Sequence, residues 1–139
     1  MKRNSYVITL ALLATLVTAS AVQAAPPSSA FSGSWVGTDP VDGSTEYLVV
    51  KGGNSARVDY QDSFSQFCWD AKSTDFWFSS TLKGTVSGST MTGSFTRAGC
   101  GHVSLSAMKG QTMVWSFYAN GPGAADDTLS DDVVTWSRV

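Results

Sequence analysis

Histidine occurs once in the 139 residues, at His102, and cysteine twice, at Cys68 and Cys100. One nitrogen ligand and two sulfurs are too small a supply for a zinc site, so no metal or other cofactor is expected. No Gly-x-Ser-x-Gly segment is present either: Gly33 to Gly37 reads Gly-Ser-Trp-Val-Gly, with Trp35 where a nucleophile would stand. Without such a partner His102 reads as a solvated polar residue. Loop aspartates are more plentiful, at Asp39, Asp42, Asp126, Asp127, Asp131 and Asp132, but none falls in the twelve-residue calcium-loop pattern. Aspartate in turns has a sufficient local reason, the hydrogen bond from its side chain to its own backbone.

Positive charge is scarce as well. Lys2 and Arg3 precede an apolar stretch from Val7 to Val22, and Val22-Gln23-Ala24 supplies the small residues of a cleavage site, so residues 1–24 read as a secretory signal peptide. The apolar stretch is too short and too early for a transmembrane span, and no stable membrane insertion is expected. Removing Lys2 and Arg3 leaves seven basic residues against eleven acidic ones and moves the formal charge from −2 to −4. A mildly acidic product has no electrostatic reason to hold nucleic acid. The expected compartment is extracellular or periplasmic. There, two cysteines without a C-x-x-C spacing read as one disulfide, closing a loop whose chain-entropy contribution is about 3.5 kcal/mol. Residues 25–30 form a small, polar tail, and residues 31–139 are long enough for one domain with one core. Nothing in the sequence specifies an oligomeric state.

A helical pattern is nearly absent, which excludes architectures that need crossover helices. Turn signals instead recur at hairpin spacing, as in Asp39-Pro40-Val41-Asp42-Gly43, Lys51-Gly52-Gly53-Asn54 and Ser87-Gly88-Ser89. Between them run segments of period two. Val58 and Tyr60 alternate with Arg57, Asp59 and Gln61; Met91 and Phe95 share a face through Gly93; Met113, Trp115 and Phe117 share another; Val103 and Leu105 oppose His102, Ser104 and Ser106. The pattern predicts an all-β chain of eight to ten antiparallel strands closed as an up-and-down barrel. Asp62 to Lys72 is the exception, with Phe64, Phe67, Cys68 and Ala71 at helical spacing. It reads as a short helix capped by Asp62, or equally as an irregular segment carrying the cysteine.

Phe31-Ser32-Gly33-Ser34-Trp35-Val36-Gly37 opens the domain and Val133-Val134-Thr135-Trp136-Ser137-Arg138-Val139 closes it. A Gly-x-Trp on the first strand with an arginine on the last resembles the closing signature of calycin barrels, the lipocalin and avidin superfamily. The whole mature chain resembles small secreted bacterial proteins of that kind, through Gly33-Ser34-Trp35, Asp39 to Ser44, the two cysteines, Asp127 to Asp131 and Trp136-Ser137-Arg138. The resemblance implies structural roles for Trp35, Trp136 and Arg138, with the arginine lying over the Trp35 indole. It implies no named ligand: Gly37-Thr38-Asp39 does not supply the polar loop by which avidins ring a biotin.

The remaining signal is aromatic. Seven Phe, five Trp and three Tyr follow residue 24, with a dense group at Phe64, Phe67, Trp69, Phe76, Trp77 and Phe78. Trp69, Trp77, Met113, Trp115 and Phe117 are the candidate ligand-binding residues, the last four pointing into a barrel mouth and Trp69 and Trp77 the most apt to be exposed. The leading functional reading is a non-catalytic module that binds a small apolar or aromatic ligand. A secreted protein partner, or inhibition of a hydrolase, through the loops Asp39 to Gly43 and Asn120 to Asp127 is the alternative. A weak hydrolase or isomerase on Asp59 or Glu46 is the third, and its bland counterpart places both carboxylates on the wet face of a sheet. Titration of the unreduced, denatured protein with a thiol reagent is expected to find no free thiol.

Overall fold

Apolar and polar side chains alternating at period two bury one face of a sheet, and that face and the sheet's edges must both be covered. In the computed structural model, which describes residues 28–119 and 127–139, closure does both. The strands are β1 (Gly33–Thr38), β2 (Thr45–Gly52), β3 (Ser55–Asp62), β4 (Phe78–Ser87), β5 (Thr90–Cys100), β6 (Val103–Ser104), β7 (Thr112–Tyr118), β8 (Thr128–Ser130) and β9 (Thr135–Arg138). Each pairs antiparallel with its neighbours, and β9 returns to β1, so that eight strands close a barrel and β6 is an extra strand on β5. The expected signal peptide, and residues 120–126 of the loop proposed for partner binding, lie outside the described residues.

An eight-stranded barrel encloses a space that side chains just fill. Trp35, Trp115 and Trp136 occupy it at 0–1% exposure, with Leu48, Val58, Leu82, Met91 and Leu129 around them. Gly93 lets them in: a Cβ there would lie 2.8 Å from the Trp115 ring and 3.0 Å from Leu82. Side chains lining a ligand-sized hollow would keep accessible surface. These keep almost none, so the space between them is filled.

The closing signature forms as a contact. The Arg138 guanidinium sits 4.1 Å from the centre of the Trp35 ring and donates to the carbonyls of Ser32 (2.6 Å) and Ala30 (2.7 Å). The Trp35 indole N–H donates to the Phe31 carbonyl (2.9 Å), and Phe31 and Phe117 pack beside it. A 3-10 turn, Ser28–Phe31, carries the carbonyls of Ala30 and Phe31. The expected tail is thus partly structured, because its last residues supply acceptors to Arg138. This end of the barrel also holds the β2–β3 and β4–β5 turns.

The opposite end is capped. Between β3 and β4 lies one short helix, α1 (Gln66–Asp70), whose Cys68 is bonded to Cys100 at the end of β5 with a Cα separation of 5.5 Å. Ser65, not Asp62, precedes the helix; Asp62 closes β3 and accepts the Phe64 N–H (3.1 Å). The helix buries only Cys68 and leaves Phe64 and Phe67 about half exposed. Residues 102–106 also depart from expectation. β6 has two residues, both exposed, because it lies outside the closed barrel and has no core to face. No helix among the described residues is long and apolar enough to cross a membrane.

Replacing Trp35 with Ala is expected to cost about 3 to 5 kcal/mol in urea unfolding, the range for a buried tryptophan. Arg138→Ala is expected to cost less, about 1 to 3 kcal/mol, since the stacked ring stays in place while the charge-assisted bonds are lost.

Candidate binding site

Five of the residues singled out for ligand binding are not brought together. Trp115 and Phe117 are core; Met113 is half-buried and borders a shallow hollow of about 240 Å³ with Val114 and Asp131. Trp77 does not point inward. It precedes β4, is 41% exposed, and stacks on Tyr47 of β2 at 6.2 Å and 28°. The reason is parity: Phe78 enters the core at 0% exposure, so its neighbour must face away. Trp69, on α1, is 60% exposed and stacks on Phe76 at 5.6 Å.

The two carboxylates of the hydrolase reading are separated by the same parity. Asp59 faces out, held by Arg57 (3.0 Å) and by the Thr81 hydroxyl (3.1 Å). Burial pulls its carboxyl up, but the hydrogen bonds and the Arg57 and Lys51 charges outweigh that and leave it below the ordinary aspartate value. Glu46 faces in. It is only 5% exposed, which overturns its placement on a wet face, and it forms one inward row with Asp62, Gly37, Trp136 and Leu129. Glu46 and Asp59 therefore cannot flank one substrate.

Glu46 is strongly altered by its surroundings. Burial first, then the charges of Asp62, Asp131 and Asp39, push its carboxyl up to about 8, although a hydrogen bond with Tyr60 opposes them. Its Oε2 and the Ser44 hydroxyl beside it have no hydrogen-bond partner, and neither do the indole nitrogens of Trp115 and Trp136. The Tyr60 hydroxyl is likewise pushed up, by burial and by the Glu46 charge. At neutral pH Glu46 keeps its proton, and the capped end carries one buried charge fewer than its composition suggests.

The loop aspartates perform turn chemistry. Asp39, Asp42, Asp62, Asp75 and Asp131 each accept the backbone N–H two residues on. Among the described residues no group of three His, Cys, Asp or Glu side chains is placed to hold a metal ion.

An open hollow among the described residues lies on the outside of the barrel. Midway along, β5 exchanges partners: residues 90–94 pair with β7, whereas Gly99 and Cys100 pair with β6. A register shift between Thr81 and Leu82 accompanies the change. The outer face of β3, β4, β5 and β6 there forms an open trough of about 550 Å³. Cross-strand pairing lays out its floor. One row runs through Gln61, Ser79, Gly99 and Ser104, the next through Asp59, Thr81 and Arg97, and His102 stands at the margin. Tyr47 pairs with Gln61, so the Tyr47–Trp77 stack adjoins this floor. Sequence reading missed the trough: each floor residue looked like an ordinary wet-face position, and only the pairing register collects them.

Comparison of the chain with protein-family models, curated proteins and solved structures finds no match.

Folded, Glu46 releases its proton near pH 8; unfolded, near 4.5. Its contribution to stability is therefore complete below pH 4.5 and is lost as pH rises toward 8. Thermal unfolding across pH 4.5 to 8 is expected to show a declining Tm that flattens above that window, and Glu46→Gln to remove most of the slope and stabilise the protein at pH 8.

Proposed function

We propose that this chain is an exported, non-catalytic binding module that works from the outer surface of its barrel. The observation that carries the reading is where the indoles stand: Trp35, Trp115 and Trp136 are consumed in filling the interior, while Trp69 and Trp77 are 60% and 41% exposed at the disulfide-capped end. Large exposed aromatics that the core does not need, held beside an open hollow, are the usual chemistry of a recognition surface. Export rests on the amino-terminal charge and apolar pattern, and the Cys68–Cys100 disulfide fits an oxidising compartment. Kinship with calycin barrels is part of the proposal, supported by eight-strand closure and by Arg138 stacked on Trp35 between last and first strands.

The reading replaces a ligand inside the barrel with one against it. A secreted protein partner is the second reading, favoured by Phe64, Phe67 and Trp69, which stand about half exposed or more around α1. Large side chains of this kind serve as anchors in protein interfaces.

An apolar fluorophore separates outside from inside. With 1-aminoanthracene, no saturable enhancement is expected, because the interior has no vacant apolar space. Saturable binding that persists in Trp69→Ala and Trp77→Ala would place the ligand within the barrel and overturn the proposal.

A further inference from the structure

We infer that the outer trough of β3 to β6, with the Tyr47–Trp77 stack at its end, is a subsite for a neutral oligosaccharide. The inference rests on the outer-surface reading above and adds the class of ligand.

The first ground is the chemistry of the floor. Gln61, Asp59 and Arg97 present a planar amide, a carboxylate and a guanidinium, and Ser79 and Thr81 add hydroxyls. Forked planar groups of this sort match pairs of neighbouring hydroxyls, each of which donates and accepts. The floor is mixed rather than apolar, with Val103 and Ala98 set among these polar groups, which suits a ligand that is itself amphipathic. A peptide strand would find too little free edge, since β6 has only two residues.

The second ground is the ring at the end of the floor. A sugar has an apolar face of C–H groups as well as its hydroxyl rim, and an exposed aromatic ring is the surface on which that face packs. Tyr47 and Trp77 are each 41% exposed and lie stacked, and Tyr47 is the cross-strand neighbour of Gln61. From β2 to β6 the row crosses four strand spacings, about 19 Å, the length of a short oligosaccharide.

The third ground is that the wall is built and held. The Trp77 N–H donates to Asp75 (2.9 Å), and Asp75 lies so close to Gly101 that a Cβ there would meet its carboxylate at 2.6 Å. The Ser73 hydroxyl reaches the Cys100 carbonyl (3.3 Å) and accepts the Asp75 N–H (3.1 Å). The Cys68–Cys100 bond ties the same loop to the end of β5. The segment leading into Trp77 is thus held against the end of β5 through Ser73 and Asp75, and the Trp77 ring is held by Tyr47, before any ligand arrives, which lowers the ordering cost of binding.

Charge points to a neutral occupant. The trough lining carries one acid, Asp59, and one guanidinium, Arg97, so its formal charges offset each other. A phosphate or polyanion would find no excess of positive charge.

The test is a ¹H–¹⁵N NMR titration of the unreduced protein with maltohexaose, cellohexaose and chitohexaose. At least one is expected to bind saturably with a Kd of about 1 mM or tighter, shifting amides near residues 47, 61, 77–81 and 97–104. Gln61→Ala and Trp77→Ala are each expected to weaken that binding about tenfold or more, roughly 1.4 kcal/mol. Val114→Ala, on the far strand β7, is expected to change nothing. Absence of saturable shifts with all three sugars would overturn the inference and leave the outer-surface reading standing. Binding lost in Trp69→Ala but kept in both Gln61→Ala and Trp77→Ala would move the ligand to α1 and overturn the trough. Sugar binding indifferent to all three substitutions would overturn both.

Discussion

The constraint from which the rest follows is the volume enclosed by eight closed strands. It is set by strand number and tilt, not by the side chains, and large residues must fill it or the barrel is left with voids. Three tryptophans do most of the filling, fitted against glycine on facing strands, as Trp115 is against Gly93 and Trp136 against Gly37. Bulk spent inside is unavailable for recognition inside. The other two indoles are exposed, Trp77 by strand parity and Trp69 by its place on α1.

The two ends of the barrel solve different problems. At one, Arg138 satisfies backbone carbonyls and covers Trp35, so a charged group stabilises closure without being deeply buried. At the other, the inward positions of β2 and β3 are Glu46 and Asp62, cross-strand neighbours with no cation among the groups acting on Glu46. Like charges so placed are relieved by protonation of one of them. Glu46 and Tyr47 are consecutive, yet one holds a proton in the interior and the other carries half of the outer stack. A two-residue stretch of β2 therefore joins the ionisation of the interior to the outer aromatic stack.

Much of the fold was legible because alternation is a local signal. The faces of residues 57–61 and 91–95, the inward set Met113, Trp115 and Phe117, and the pairing of Cys68 with Cys100 could all be read along the chain, whereas the contact of Arg138 with Trp35 was implied by the resemblance to calycin barrels. Departures arose where a local pattern had no core to act on or where position relative to other strands decided the outcome. Val103 alternates as a core residue would, but it is exposed because β6 lies beyond the closed barrel, whereas Leu105 just after it packs against the core. Glu46 is inward because the period of two within β2 puts it on the face of Leu48 and Val50, and its charge masks that alternation. The trough is the extreme case, since its floor is drawn from four strands in register and no single segment announces it.

The clamp at Arg138 also orders events in time. It joins residues 106 and 108 positions apart in sequence, to Ser32 and Ala30. Until residue 138 has left the ribosome there is no last strand to meet the first, and every earlier intermediate has two open edges. Contacts of such long separation are slow to form and expose strand edges while they wait. The hairpins from β1 to β5 and the cysteine bridge span far shorter loops, so this barrel is expected to assemble as an open, already cross-linked sheet that rolls shut in its final step.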